Sequence, residues 1–352
     1  LIHEGIHPFA HVPSWFIENG QLPKSLSIEL YRNLNSPDYF TIYPPLAQFF
    51  FWLSAFSTVI IGSAIILRVF ILAAEFGTIL LLFRLSTIYN LPRKNVILYA
   101  FNPLVILELT GNLHLEGLMI FFLLLGIYLY KKKRPLVTGI SMAFAVAAKL
   151  VPLIVYPAFL RRLSFKKLLI LYGSSIASLV LLFWPLYETV LIEGMSSSIS
   201  LYFKKFEFNA SIYYLVRALG FYFKGYNIIG TAGPWLSMIT FILVLGFALF
   251  ANPRKDSTPT VWLWIVFSYF AMATIVHPWY ATSLVALSVL TKYRFPIFWS
   301  GLIFLSYLGY TETGFEENML VVSIEYVLLF TFMAYEVYQV LKQRKLSKIV
   351  VR

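Results

Sequence analysis

Residues 102–117 read NPLVILELTGNLHLEG and set an imidazole and a carboxylate, His114 and Glu116, just ahead of a long apolar run. Gly111 and Asn112 are of the types that end one helix and cap the next. That puts His114 and Glu116 in a first helical turn, where free amides and the helix dipole favour an anion. An ionised carboxylate there suits a metal ligand, an acceptor for a sugar hydroxyl or a base; the plain alternative is a helix start matched to its dipole. Glu116 and His114 are the candidate catalytic residues, with Asn112 beside them as a substrate ligand.

Cations supply the other half of a possible site. Arg68 and Glu75 share one helix face two turns apart, roughly 10 Å along the axis, too far to pair directly. Charge at membrane depth is costly and faces a cavity or a partner, so Arg68 is either a ligand for a lipid phosphate or an arginine snorkelling to the surface. Lys149, in AAKLVP, is either a counter-ion for Glu75 or a phosphate ligand. Lys204 and Lys205, with Arg217 and Lys224, are interleaved with Tyr202, Phe203, Phe206, Phe208, Tyr213 and Tyr214. A loop of that kind binds an anionic lipid head and stacks on sugar faces, or it lies in the interface as an amphipathic segment. His277 and Tyr280, in HPWY, can bond a substrate, or they mark a proline-broken corner with belt aromatics.

Several chemistries are excluded by residue type and spacing. With no cysteine there is no disulfide, thiolate nucleophile or Cys-ligated metal. The five histidines show no HExxH spacing, and GxSxG, Walker and GxGxxG patterns are missing. A divalent metal stays open and no other cofactor is expected. Glu325 has no assigned role.

The elements that must hold these residues belong to a membrane protein. Of 352 residues 59% are hydrophobic and 12% charged, against about 25% charged in soluble domains. The mean hydropathy of +0.77 is spread along the whole chain rather than held in one anchor. The expectation is an all-α polytopic protein, a single transmembrane domain over residues 1–352. A proline-started helix at 43–61 comes first, followed by apolar spans at 64–86, 95–109, 115–130, 136–149, 151–160, 167–187, 232–251, 260–276, 279–290, 296–310 and 319–341. The segments on either side of Lys149 and Pro152 are either two short helices meeting at a break or one kinked span. No internal repeat is visible.

Clusters of bases set the sides. Loops around Arg84 to Lys94, Lys131 to Arg134, Arg161 to Lys167, Arg254 and Lys255, Lys292 and Arg294, and the tail from Lys342 to Arg352 hold 20 of the 28 bases and are expected inside. Twelve of the 16 acids, Glu312 among them, fall on the other side. That gives about 11 membrane segments plus an external surface helix, with the C-terminus cytoplasmic. Residues 1–62, an external loop and surface helix, and the second large external loop at 188–231 make an outer face on which chemistry is expected. The net charge of +12 follows from this topology, so no nucleic-acid partner is expected.

Several motifs in this order resemble one family. GIHPF at 5–9, TIYPPLAQFFFW at 41–52 with its Tyr43, NPLVILELTGNLHLEG, then KKKR and AVAAKLVPLIVYP at 145–157 are similar to blocks of the GT-C membrane glycosyltransferases that use polyprenyl-phosphate sugars. The resemblance is closest to the bacterial polyprenyl-phosphate-mannose-dependent transferases and the GPI mannosyltransferase I group, and it covers roughly the first half of the chain. It implies a mannosyl donor on a polyprenyl phosphate and makes Glu116 the second external acid. It puts Arg68 and Lys149 where phosphate or acidic partners are handled, and adds Tyr43 to the substrate-binding candidates. It also implies a first transmembrane helix and an Asp, the general base, ahead of the GIHPF turn. Neither is in this sequence, so the chain reads as a fragment whose catalytic Asp is expected upstream of Leu1, with its activity in doubt for that reason.

The reading is a glycosyltransferase that moves a sugar, mannose, from a polyprenyl-phosphate donor to a glycan or lipid acceptor at the external face, inverting the anomeric carbon. The expected location is a bacterial inner membrane with the site on the periplasmic side. The rival is a transporter or flippase of a lipid-linked or small polar substrate, which also places charges and broken helices at depth. A non-catalytic subunit of a glycosylation complex is the third reading.

Overall fold

A computed structural model of the chain describes every residue except 25, 35, 58, 312, 313, 351 and 352; side chains at 201–203, 345 and 347–350 are also not described. Glu312 and Arg352 of the sidedness count therefore lie outside the described residues, as do the side chains of Tyr202, Phe203, Lys345 and Lys348. The protein is 74% helical and all-α. Among the described residues, strands are confined to a hairpin that pairs Tyr310–Thr311 with Gly314–Phe315.

Among the described residues, four helices are long and apolar enough to cross a membrane: Ile60–Ile88, Phe165–Leu186, Ile229–Phe250 and Met319–Arg344. A fifth span is formed if Pro103–Gly111 and Glu116–Lys131, bent by 115° at the break between them, are taken together. The long helices form the rim, with only 11% to 33% of their apolar windows buried. Phe165, Leu181 and Phe250 are exposed by 76%, 73% and 85%, a surface that only hydrocarbon solvates cheaply. Shorter helices fill the centre. Pro135–Ala148 and Thr258–Met272 are mostly buried, and Ala281–Val289 is buried throughout.

Local sequence explains the breaks that matter for the site. Asn102 caps Pro103–Val105 by accepting from the amides of Leu104 and Val105 at 3.0 and 3.4 Å, and Pro103 supplies the preset first-turn φ. The next six residues, Ile106–Gly111, widen into a π-helix, a form associated with functional sites. Leu113 then adopts φ 62, the left-handed region that costs a branched residue about 1–2 kcal/mol, and this reversal turns the chain into the Glu116 helix. Pro135–Ala148 stops because Pro152 disfavours helix ahead of it; Lys149 is extended at φ −158, and a 3-10 helix resumes over Val151–Phe159. The alternatives at Lys149 resolve to two short helices meeting at a break.

The helix expected over 43–61 is shorter, Pro45–Ser54. Ser54 and Ser57 bond nearby main-chain groups and so compete with helix continuation, and the next helix starts only at Ile60. The first 42 residues lie on the second large loop: the Ser198 hydroxyl donates to the Phe40 carbonyl at 2.8 Å, and the His7 ring bonds the Leu186 carbonyl at 3.1 Å. That second loop reaches the centre of the protein through Phe208, which bridges to the 274–276 segment by main-chain hydrogen bonds of 3.0 and 2.8 Å.

Candidate functional site

The two breaks bring opposite charges together. The Lys149 ammonium, extended between its two helices, forms an ion pair with the Glu116 carboxylate in the first turn of its own helix. Glu116 is 3% exposed and Lys149 18%, so the cation is the part of the pair that reaches outward. It also lies 4.7 Å from the ring centre of Tyr280, whose face favours a positive charge. Lys149 therefore pairs with Glu116 and not with Glu75. Glu75 instead accepts from the Tyr99 hydroxyl at 2.9 Å, and its Oε1 lies 3.3 Å from where a Cβ on Gly117 would stand.

Next to this pair stands a carboxylate and imidazole group that sequence reasoning only half found. The π-helix turn points Glu108, 1% exposed, at His114, with Oε2 to Nε2 at 3.4 Å. Asn112 donates to the same oxygen at 3.2 Å, and the Tyr307 hydroxyl donates to Oε1 at 2.6 Å. The carboxylate is held from three sides, which fixes the His114 ring edge. The ring face is fixed by Trp279: His114 stacks on it at 3.9 Å, and His277 stacks on its other side at 4.3 Å. HPWY thus places His277 and Tyr280 beside the Lys149 group and adds Trp279 as the plate between two imidazoles.

His277 lies in the connection 273–280. Burial first, then the nearby Lys149 ammonium and the His114 ring, push its pKa down to about 3, against the pull of Glu108. The ring is therefore neutral at neutral pH. Its Nδ1 is buried without a hydrogen-bond partner among the described residues, an available acceptor or donor according to tautomer.

The other candidates fall elsewhere. Arg68 donates from Nε to the Thr110 carbonyl at 2.9 Å and from Nη2 to the Gly111 carbonyl at 3.3 Å, stapling the end of the π-helix. Tyr43 packs edge-on against Phe51 at 5.1 Å, and its carbonyl accepts from Gln48 at 3.2 Å where the surface helix starts. Lys204 and Lys205 are exposed at the end of the helix Thr189–Lys204, in no ion pair among the described residues. Arg217 is neutralised by Glu207 and lies 4.3 Å from the Tyr214 ring centre, which makes it part of the loop's own framework.

An apolar groove of about 300 Å³ opens between the 3-10 helix, the helix Ile229–Phe250 and the end of Thr258–Met272. Leu153, Pro157, Phe241, Val244 and Met272 line it, with Thr274 at one end. Leu153 follows Lys149 by four residues, and Thr274 precedes His277 by three. The groove's walls thus belong to the same two chain segments that carry Lys149 and His277. Among the described residues no cluster of three or more His, Asp and Glu is placed to hold a metal ion.

Residues 1–163 match the family model described as alpha-(1->6)-mannopyranosyltransferase, N-terminal domain. The matched stretch, a little under half of the chain, contains Arg68, Glu75, Glu108, His114, Glu116 and Lys149, and over it the chain is similar to that mannosyltransferase domain. No curated protein matches the chain.

Proposed function

We propose that this chain is a membrane glycosyltransferase that moves mannose from a polyprenyl-phosphate donor to a hydroxyl acceptor on the outer membrane face, with inversion at the anomeric carbon. The observation that carries the reading is the Lys149 ammonium, the more exposed member of its pair with Glu116 and set over the Tyr280 ring, on the segment that runs on into the wall of an apolar groove. An isoprenoid chain fits such a groove and its phosphate such a cation. The remaining apolar helices complete the about 11 membrane segments of the topology, with the basic clusters inside.

Bonds and electrons balance as follows. The acceptor hydroxyl oxygen attacks the anomeric carbon on the face opposite the phosphate, the carbon–oxygen bond to the phosphate breaks, and its electron pair stays on the phosphate. Lys149 meets that developing charge, so no strong general acid is needed. The acceptor proton passes to His114, the base of the constellation, held in place by Glu108 and by the Trp279 face. Glu116 acts by holding Lys149. Attack from the opposite face converts a β-linked lipid donor to an α-mannoside.

The experiment offers purified protein in lipid either polyprenyl-phosphate mannose or a nucleotide-linked mannose, with a mannosyl acceptor. Transfer from the lipid donor alone, giving an α-linkage, supports the reading. Transfer from the nucleotide donor alone, or retention of configuration, refutes it. The broken helices at Lys149 and at 111–116 also suit a transporter; movement of labelled lipid across the bilayer without transfer points there.

A further inference from the structure

A second feature combining charge with an apolar groove lies farther along the helix Ile229–Phe250. Gly233, in the first groove, and Phe250 are seventeen residues apart, roughly 25 Å along the helix. At this far end a polar cavity of about 450 Å³ is lined by Lys255, Asp256, Thr291, Lys292 and Arg344, with Tyr89 at its wall. An adjoining groove of about 570 Å³ runs over Ile242, Gly246, Phe247, Phe250 and Trp264. The two share Asp256, Thr260, Tyr293 and Arg344, so they are one continuous feature with a charged head and an apolar trough.

The charge balance of the head is positive. Arg344 bonds Asp256 at 3.0 Å, while Lys255 and Lys292 are exposed and in no ion pair among the described residues. Two cations over one neutralised pair suit a phosphodiester. The trough is open for a chain: a Cβ added at Gly246 would meet no atom within 4 Å, and Ile242 and Phe250 are 58% and 85% exposed.

We propose that this feature binds an anionic diacyl phospholipid, its phosphate between Lys255 and Lys292 beside the Arg344–Asp256 pair and one acyl chain along 242–250. The feature stands apart from the Lys149 group and does not depend on the activity proposed there. A free phosphate would share the cations but not the trough.

The test uses native mass spectrometry of the detergent-purified protein with dioleoyl phosphatidylglycerol, dioleoyl phosphatidylcholine or inorganic phosphate. The expected result is retention of phosphatidylglycerol at least about 5-fold above phosphatidylcholine, with equal retention in Lys255→Gln/Lys292→Gln. A second variant, Gly246→Leu, fills the trough while leaving every cation in place, and it is expected to lower phosphatidylglycerol retention as well. Equal retention of the two lipids by the wild type, or preference untouched by both variants, overturns the proposal. Displacement of the lipid by millimolar inorganic phosphate, with no effect of Gly246→Leu, would show a free-phosphate site instead.

Discussion

Removing the Lys149 charge separates a structural ion pair from a site for a leaving phosphate. Lys149→Met leaves the Glu116 carboxylate, 3% exposed, without its cation. Breaking a buried pair in that way costs about 3–5 kcal/mol, which at roughly 2–3 °C per kcal/mol lowers Tm by about 6–15 °C. Glu116→Gln leaves the more exposed partner, which keeps the Tyr280 face worth about 1 kcal/mol, so its Tm falls less. Lys149→Met combined with Glu116→Leu removes both charges and is expected to recover most of the lost stability, to within about 1–2 kcal/mol of wild type. Mannosyl transfer does not recover. A preorganised charge on the leaving group contributes about 100- to 1,000-fold in rate, and the double variant lacks it. The assay pairs thermal unfolding followed by tryptophan fluorescence with initial transfer rates in the same preparation. If the double variant regains transfer along with stability, Lys149 only holds the fold and the reasoning fails.

Three further outcomes follow from the geometry. Glu108→Gln is expected to lower kcat about 10-fold or more with KM little changed, and His114→Gln to lower it further; losses in KM alone would place the dyad in binding rather than proton transfer. Burial of the His277 ring, with its pKa near 3 in the fold, makes its contribution to stability full above about 6.5 and lost as pH falls from there, while the Glu317 carboxyl, raised to about 7 mainly by burial, contributes below about 4.5 and loses its contribution as pH rises through 7. Tm measured against pH should flatten on the acid side in His277→Asn and on the neutral side in Glu317→Gln, and unchanged profiles would contradict those assignments. Gly139→Val is expected to prevent folding or lower Tm strongly, because a Cβ there falls 2.2 Å from the Leu171 carbonyl oxygen of the facing helix; normal expression and Tm would show that the helices separate freely.

Much of the helical pattern was legible because hydropathy and proline punctuation act locally, while the span expected over 95–109 is broken into short pieces at Asn102 and Pro103 and ends in the π-turn. The segments 115–130, 136–149 and 151–160 correspond to Glu116–Lys131, Pro135–Ala148 and Val151–Phe159. The last helix, expected over 319–341, runs on to Val350, since hydropathy marks where lipid contact ends and helix propensity continues through the basic tail. The site was legible by residue and not by partner. Glu116 and Lys149 stand out singly, but their pairing spans 33 positions and depends on how two helices end against each other. Glu108 went unassigned because helical spacing does not anticipate a π-turn. Its signal was a lone acid inside the apolar run PLVILEL, which charge at membrane depth makes conspicuous. Trp279 was hidden between His277 and Tyr280, where stacking on both faces needs the tertiary fold to bring His114 across.

The most direct measurement is the initial rate of mannose transfer in sealed proteoliposomes, with polyprenyl-phosphate mannose accessible on one side at a time and Lys149→Met/Glu116→Leu run in parallel. The account predicts transfer only when donor and acceptor share the side of the Lys149 group, and its collapse in the folded double variant. Equal rates from the wild type and the double variant, or lipid translocation without transfer, would contradict it.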